Sequence, residues 1–484
     1  MNSPFRIAII GAGFSGLCMA IKLKAAGYSN VTVFERAADL GGTWRDNTYP
    51  GCACDVPSHL YSYSFEMNPN WSRAFSPWIE IARYLQHCVD KYGLRSQIRF
   101  NTEITELRFH GTTKMWSLRT RAGAEEHFHV VVSGTGPLNK PELPNIVGRE
   151  TFTGKAFHSS HWDHDYALAG KRVAVIGTGA SAIQIVPNIA TQVAELTLFQ
   201  RTPPWVLPRM DRAYRAWEKL FFRWCKPWLW LHRKLLYWRL EHFGVAVLND
   251  GHTRRFFEGV GRWFLKKQIA DAALREKLAP NYRIGCKRAL ISDDYYPSLN
   301  RANVEVVTDA ITEITPTGVR TQQGREITVD AIIYGTGFRA TEFLTPMRIY
   351  SADNRELSEI WRTGASTYLG ITLAEFPNLF LLVGPNTGLG HNSIIFMIEA
   401  QVHYVIECLK RLTREGRQCA ALKPAVQQQF STEIQQRLRG TTWLSGCKSW
   451  YLSADGNSYT MWPGYTVEYW WRTRKFEPEQ YEIS

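Results

Sequence analysis

Short, predominantly apolar runs that stop at glycine recur along the chain: "RIAII" before Gly11, "VVVS" before Gly134, "RVAVI" before Gly177 and "AIIY" before Gly335. Runs of this kind, apolar on both faces, read as buried strands of parallel sheets. Two of them continue into segments of helical period, "FSGLCMAIKLKAAG" and "ASAIQIVPNIA", so each predicts a strand, a tight turn and a helix. A further apolar strand follows each helix, "VTVFE" after the first and "ELTLFQR" after the second. The order strand, helix, strand, stated twice, predicts an α/β chain with two doubly wound folds.

The turns carry chemistry. Gly11, Gly13 and Gly16 form G-x-G-x-x-G, and Gly177, Gly179 and Ala182 form G-x-G-x-x-A with Ser181 inside it. In such a turn the first glycine permits the bend, the second lets backbone approach a pyrophosphate, and the third lets the helix pack closely. The partner residues differ in sign. Glu35 lies 24 residues after Gly11, where a carboxylate accepts hydrogen bonds from ribose hydroxyls, as in FAD or NAD. Arg201 lies 24 residues after Gly177, where a cation pairs with the 2′-phosphate of NADP and Thr202 adds a hydroxyl. One chain therefore holds two dinucleotides, FAD first and NADPH second. The Gly-Thr-Gly stops of "HVVVSGTGPL" and "DAIIYGTGF" leave each fold room to close, with the second inserted into the first.

The fold class that follows is α/β, with two Rossmann-like dinucleotide-binding domains and a helical subdomain. The expected division is residues 1–145 for the first part of the FAD domain, 146–207 for the linker and first part of the NADP domain, 208–283 for the helical subdomain, 284–333 for the rest of the NADP domain, and 334–484 for the rest of the FAD domain. A length of 484 residues accommodates this division.

Composition adds two features. The net charge of +13, from 57 Lys plus Arg against 44 Asp plus Glu, suits phosphate-bearing cofactors, an anionic membrane or nucleic acid. The positive residues are interspersed and no nucleic-acid module is recognisable, so no nucleic-acid partner is expected. Nine cysteines, odd in number and without C-x-x-C spacing, point to a reduced, cytoplasmic protein, and no apolar window reaches the ~18 to 20 residues of a membrane span. Residues 205–240 carry six Trp and nine Lys or Arg. They read either as helices packed on the second fold or as a basic aromatic surface for peripheral membrane contact, and Pro227 divides them into two helices.

Between the two folds stands "FTGKAFHSSHWD". Its histidines, with His164, have no accompanying carboxylate or cysteine set, and no metal is expected. Phe152, Gly154, His158, Trp162 and Asp163 match the F-x-G-x-x-x-H-x-x-x-W-[P/D] fingerprint, and "GGTWRDNTYPGCACD" supplies Gly41, Gly42, Thr43, Trp44, Tyr49, Pro50, Gly51 and Asp55. On these two patterns and the paired dinucleotide motifs, from Gly11 to about His391, the chain resembles the type I Baeyer–Villiger monooxygenases. The aromatic-rich tail more resembles the aryl- and linear-ketone branch related to 4-hydroxyacetophenone monooxygenase.

The resemblance implies that NADPH reduces FAD, that O₂ adds at the flavin C4a, and that the peroxyflavin converts a ketone to an ester or lactone. Oxidation of sulfides or amines is the alternative on the same scaffold. It also implies roles: Arg288 stabilises the negative oxygens, Asp55 holds Arg288, Lys287 lies near the 2′-phosphate, and Gly42, Thr43, Trp44, Tyr61 and Asn386 lie on the flavin side. The fingerprint with His158 serves as the joint between domains. A helix starting near Asn392 or Ser393 would place its positive end near reduced flavin. A pyridine nucleotide-disulfide reductase is excluded, because no C-x₄-C pair follows the first fingerprint. Oligomeric state is not readable from these residues.

Overall fold

The computed structural model describes residues 5–484 apart from 249–250, 447–448, 450 and 454, so Cys447 and Trp450 of the aromatic tail lie outside the described residues. Two five-stranded parallel sheets organise the molecule. In the first, the strands run in the order Leu379–Leu381, Val130–Ser133, Ile7–Ile10, Val31–Phe34 and Ile98–Arg99. In the second the order is Val304–Val307, Glu195–Phe199, Arg172–Ile176, Ala331–Tyr334 and Lys155–His158. The central strand Ile7–Ile10 is buried at every position, as its unbroken apolar run requires.

Leu379–Leu381 joins the first sheet only after the second sheet is complete, so the second is nested within the first along the chain. Both fingerprints are built alike. Gly11 and Gly177 adopt φ of +101° and +111°, which only glycine reaches without strain. A Cβ on Gly11 would lie 2.7 Å from the Gly134 carbonyl oxygen, and one on Gly177 would lie 2.5 Å from that of Gly335. Each Gly-Thr-Gly stop thus backs onto the glycine turn of its own sheet.

The helices that follow, Phe14–Ala25 and Ala182–Ile189, start where the glycine spacing places them. Four helices, Ala216–Trp224, Lys226–Leu248, His252–Gln268 and Ala272–Leu278, fill the stretch between the second fingerprint and Arg288. The first two are separated at Cys225, with Pro227 in the opening turn of the second. Two small sheets were not foreseen: Ile104–His110, Met115–Thr120 and Glu125–Phe128 with Arg348–Tyr350, and a meander of Ile311–Thr315, Gly318–Thr321 and Glu326–Thr328.

The cysteine expectation needs one correction. Cys18, Cys52, Cys54, Cys88, Cys225, Cys408 and Cys419 are free, but Cys286 is disulfide-bonded, so the chain is not reduced throughout. Among the described residues no helix is long and apolar enough to cross a membrane, and no group of His, Cys, Asp and Glu is arranged to hold a metal ion.

Candidate active site

The loop after the first fingerprint and the helix after the second meet face to face. Tyr49 donates its hydroxyl to Gln184 Oε1 at 3.0 Å, and Gln184 Nε2 donates to the Ala53 carbonyl at 2.9 Å. Gly51 is required here, since a Cβ would lie 2.1 Å from Asn188 Nδ2 and 2.8 Å from the Gln184 carbonyl oxygen. This contact delivers Asp55 to the second fold. Arg288 donates from Nε at 3.0 Å and from Nη2 at 2.6 Å to the same oxygen, Asp55 Oδ2. Both side chains remain about one-third exposed, so the pair faces a wet cleft rather than core. Asp55 foremost, opposed by burial, holds the guanidinium above its already high ordinary pKa. Arg288 is therefore a permanent, oriented cation.

The aromatic tail reaches the same point. Tyr451, buried, lies close to Arg288; burial pushes its hydroxyl up to about 12, while Arg288 pulls it the other way. Sequence reasoning missed this residue, because one tyrosine among many tail aromatics carries no spacing signal. Arg209 was missed for a similar reason: it donates Nη2 to the Cys54 carbonyl at 3.0 Å and lies over the Phe75 ring.

On the first fold, Gly13 and Gly42 face each other, with Gly42 at φ +52° and a Cβ on Gly13 meeting nothing closer than the Gly42 Cα at 3.8 Å. This leaves a backbone-lined gap beside the fingerprint. Gly42 precedes the short helix Thr43–Asp46, and Trp44 donates Nε1 to the Tyr61 hydroxyl at 3.1 Å, with the rings edge to face. Tyr61 also packs on Phe14 of the fingerprint helix, and burial raises its pKa. Glu35 is buried and well anchored: Oε2 accepts from the Ala12 N–H, and Oε1 accepts from the Ala37 N–H and from Arg45. A carboxylate offers about four acceptor positions, so one remains for a ribose hydroxyl.

On the second fold, Lys287 is pulled below the ordinary lysine value by burial and then by the neighbouring Arg201. Among the described residues neither has a carboxylate partner, so two cations share one place with nothing to neutralise them. Thr178 donates its hydroxyl to the Thr202 carbonyl, tying the turn to the strand exit at Arg201. Ser181 lies near the Tyr49 hydroxyl, at the contact between the folds.

The fingerprint between the folds takes its place in the second sheet. Lys155–His158 is its edge strand, paired with Ala331–Tyr334. His158 is buried; its Nδ1 accepts from the Ser160 N–H at 3.2 Å, and its ring stands edge-on to Phe338, just beyond the Gly-Thr-Gly return. Burial pushes its pKa down to about 4, against a pull from the Gly337 backbone. Trp162 packs on Phe157, Asp163 pairs with Lys155 at 2.5 Å, and a Cβ on Gly154 would strike the Phe152 ring and the Asp330 carbonyl. His164 bonds Thr48 at 2.7 Å, across to the first fold. His164 thus reaches across to the first fold, while His158 is packed within the second.

Helix Ile394–Arg414 begins after Ser393, where it was expected, and the Ser393 hydroxyl is buried without a hydrogen-bond partner. Asn386 is held by the aromatic tail. Its φ of +57° sets the loop, and both amide hydrogens are committed to the tail carbonyls of Ser458 and Met461, so it positions the tail rather than offering donors outward. Burial pushes Cys52 up to about 12 and Cys54 well above the ordinary thiol value, which disfavours the thiolate form of both.

Residues 5–355 match the flavin-binding monooxygenase-like family. Two curated relatives named Baeyer–Villiger monooxygenase are each 46% identical: one from Streptomyces coelicolor, covering 100% of this chain and 93% of its own, and one from Pseudomonas aeruginosa, covering 99% and 91%. The chain belongs to the Baeyer–Villiger monooxygenases of this family. Solved structures agree over full length: OTEMO in complex with FAD and NADP, at TM-score 0.90 and 27% identity, and closed cyclohexanone monooxygenase, at 0.90 and 26%, each covering 100% of both chains.

Proposed function

We propose that the chain is an NADPH- and O₂-dependent flavoprotein that inserts oxygen beside a ketone carbonyl to give an ester or lactone, with Arg288 as its catalytic cation. The observation that carries this reading is the Arg288–Asp55 pair, in which each fold contributes one partner. The residues present fit both cofactors. Gly11, Gly13, Gly16 and Gly42 line the gap that suits the FAD pyrophosphate, Glu35 keeps an acceptor for its ribose, and the orphan Ser393 hydroxyl supplies a buried donor beside a helix amino terminus. Gly177, Gly179, Ser181 and Ala182 form the corresponding turn for NADP, while Arg201 and Lys287 form a place for the 2′-phosphate. When bound, flavin reduced by NADPH supplies the activation of dioxygen.

The chain's own residues do the rest. Asp55 fixes the rotamer of Arg288, so its donors are aimed before any substrate arrives. A cation so held stabilises negative charge that develops on a carbonyl oxygen without having to reorganise. Tyr451 closes one side of Arg288, and Trp44 and Tyr61 wall the first fold's side against water. The expected domain division is part of this reading, supported by the nested sheets, and His158 with Trp162 and Asp163 transmits movement between the folds.

The substrate class we propose is aryl or linear ketones, supported by the aromatic tail that lies against Arg288. The Trp-rich insert would be the side from which a lipophilic ketone arrives. The test is direct: purified protein is scanned for flavin absorbance, then given NADPH under air with 4-hydroxyacetophenone or cyclohexanone, and products are identified by mass. Ester from the aryl ketone supports the full reading; lactone alone overturns the substrate class; a colourless protein that retains no added flavin overturns the function.

A further inference from the structure

The helical insert leaves a large apolar surface uncovered. On helix Ala216–Trp224 the exposed side chains Trp217, Leu220, Phe221 and Trp224 recur at helical spacing, and Trp224 is 79% exposed. On helix Lys226–Leu248 the exposed positions Trp228, Leu231, Leu235 and Trp238 form a second stripe. The stripes adjoin, since the Phe221 and Trp228 ring centroids are 6.0 Å apart. Phe256 and Trp263, one heptad apart on the helix His252–Gln268 that packs against the second of these helices, are exposed as well.

This face is not a poorly packed core, because the opposite face of the same long helix is fully used. Arg233, buried, donates to the carbonyls of His59 and Ser62 at 2.6 and 2.9 Å. Glu241 accepts from Asn392 at 2.6 Å and from Thr466 at 2.8 Å. The helix thus grips the loops beside the candidate active site inward and presents tryptophan outward.

The charge around the face selects its occupant. Residues 212–239 carry eight Lys or Arg and one acidic residue, Glu218, which Arg212 occupies at 2.7 and 2.8 Å. Lys234 lies over the Trp230 ring at 5.4 Å and Lys267 over Trp263 at 5.1 Å, the arrangement in which an apolar body enters an interface while its ammonium stays at headgroup level. A second copy of the chain would set this positive surface against itself in a two-fold contact, which costs free energy. No helix among the described residues spans a bilayer, so contact would be in the plane of the surface.

We propose that the outer faces of these three helices dock the protein peripherally on an anionic lipid bilayer, with tryptophan and leucine side chains in the interface and lysine and arginine on the headgroups. Membrane docking is independent of the assigned chemistry, and binding itself is read without turnover. The full chain is sedimented with vesicles of phosphatidylcholine alone or mixed with phosphatidylglycerol, at low and high salt, with its oligomeric state followed by light scattering. Tryptophan quenching by bromine-labelled lipid reports insertion in the unaltered protein. Binding to the mixed vesicles should be at least about tenfold tighter than to phosphatidylcholine and should fall with salt, as counter-ion screening requires. Trp224→Ser with Trp238→Ser, and separately Lys226→Glu with Lys234→Glu, should each weaken binding about tenfold or more while NADPH oxidation with a water-soluble ketone is kept. Absence of vesicle binding, binding indifferent to both variants, or a dimer that these substitutions dissolve would overturn it, the last by making the face a self-association surface.

Discussion

At the scale of single residues, the chemistry rests on charges whose partners are unequal. Arg288 has Asp55, and only two of its five N–H donors go to that carboxylate, so it keeps donors for a reacting group. Removing one such preorganised donor costs about 3 to 4 kcal/mol of barrier. Arg288→Ala should therefore lower ester formation about 100- to 1000-fold, measured as product per NADPH consumed, while flavin content stays constant, because neither glycine turn contains this side chain. Asp55→Asn leaves the arginine charged but less firmly held, and should fall between. Arg201 and Lys287 stand near each other, and among the described residues neither pairs with a carboxylate. If they bind a 2′-phosphate, each charged hydrogen bond contributes about 1.5 to 3 kcal/mol, so Arg201→Ala or Lys287→Ala should raise the KM for NADPH about 10- to 100-fold and leave that for NADH almost unchanged. Equal effects on both nucleotides would remove the 2′-phosphate from the account. Arg201 was legible from its spacing to a glycine turn, and Asp55, Lys287 and Arg288 only through the family resemblance of the motifs around them. Tyr451 was not, because its approach to Arg288 depends on tertiary folding of a tail whose pattern is uniformly aromatic.

At the scale of elements, the parts read correctly were those with a local cause. A glycine turn between an apolar run and a helical period leaves little freedom, and the helices Phe14–Ala25 and Ala182–Ile189 begin accordingly. The start of helix Ile394–Arg414 and the break beside Pro227 follow the same logic. The antiparallel strands near 104–128 and 311–328 lacked such punctuation; their stability comes from cross-strand pairing, which residue order alone does not display. Residue order alone makes Lys155–His158 a linker, because its strand state depends on Ala331–Tyr334, more than 170 residues later. The helix packing that supports the first fold can be tested at Gly16. A Cβ there would lie 1.9 Å from the Gly11 carbonyl oxygen, a backbone atom that cannot yield without moving the turn. Gly16→Ala should give protein that expresses but purifies nearly colourless, with flavin content below about one tenth of normal if the misplaced turn costs at least 1.4 kcal/mol of binding. Full flavin occupancy in that variant would show that the helix does not need this close approach.

At the scale of the whole molecule, the first fold, the second fold and the insert are joined by polar contacts with buried histidines at two of the seams. His59 comes from the first fold, and its ring lies among Phe222, Tyr214 and His232 of the insert at centroid distances of 4.5, 5.1 and 5.3 Å. Burial foremost, then His232 and Arg233, push its pKa down to about 3, with Glu218 opposing. His158, at the seam between the folds, is pushed down to about 4, again foremost by burial. Both rings are therefore neutral in the folded protein, while the unfolded chain protonates its histidines near 6.5. Between that value and the folded pKa the unfolded state binds more protons, so stability falls as pH falls, at up to about 1.4 kcal/mol per pH unit for each ring; above pH 7 neither contributes a slope. Thermal melting of the flavin-loaded protein should thus be flat from pH 8 to 7 and decline progressively from about 6.5 towards 4. His59→Gln and His158→Gln remove one titrating group each, so either substitution should make the decline shallower even if it lowers the plateau. A profile whose slope is unaltered in both variants would assign the acid sensitivity to other groups and leave these seams indifferent to protonation.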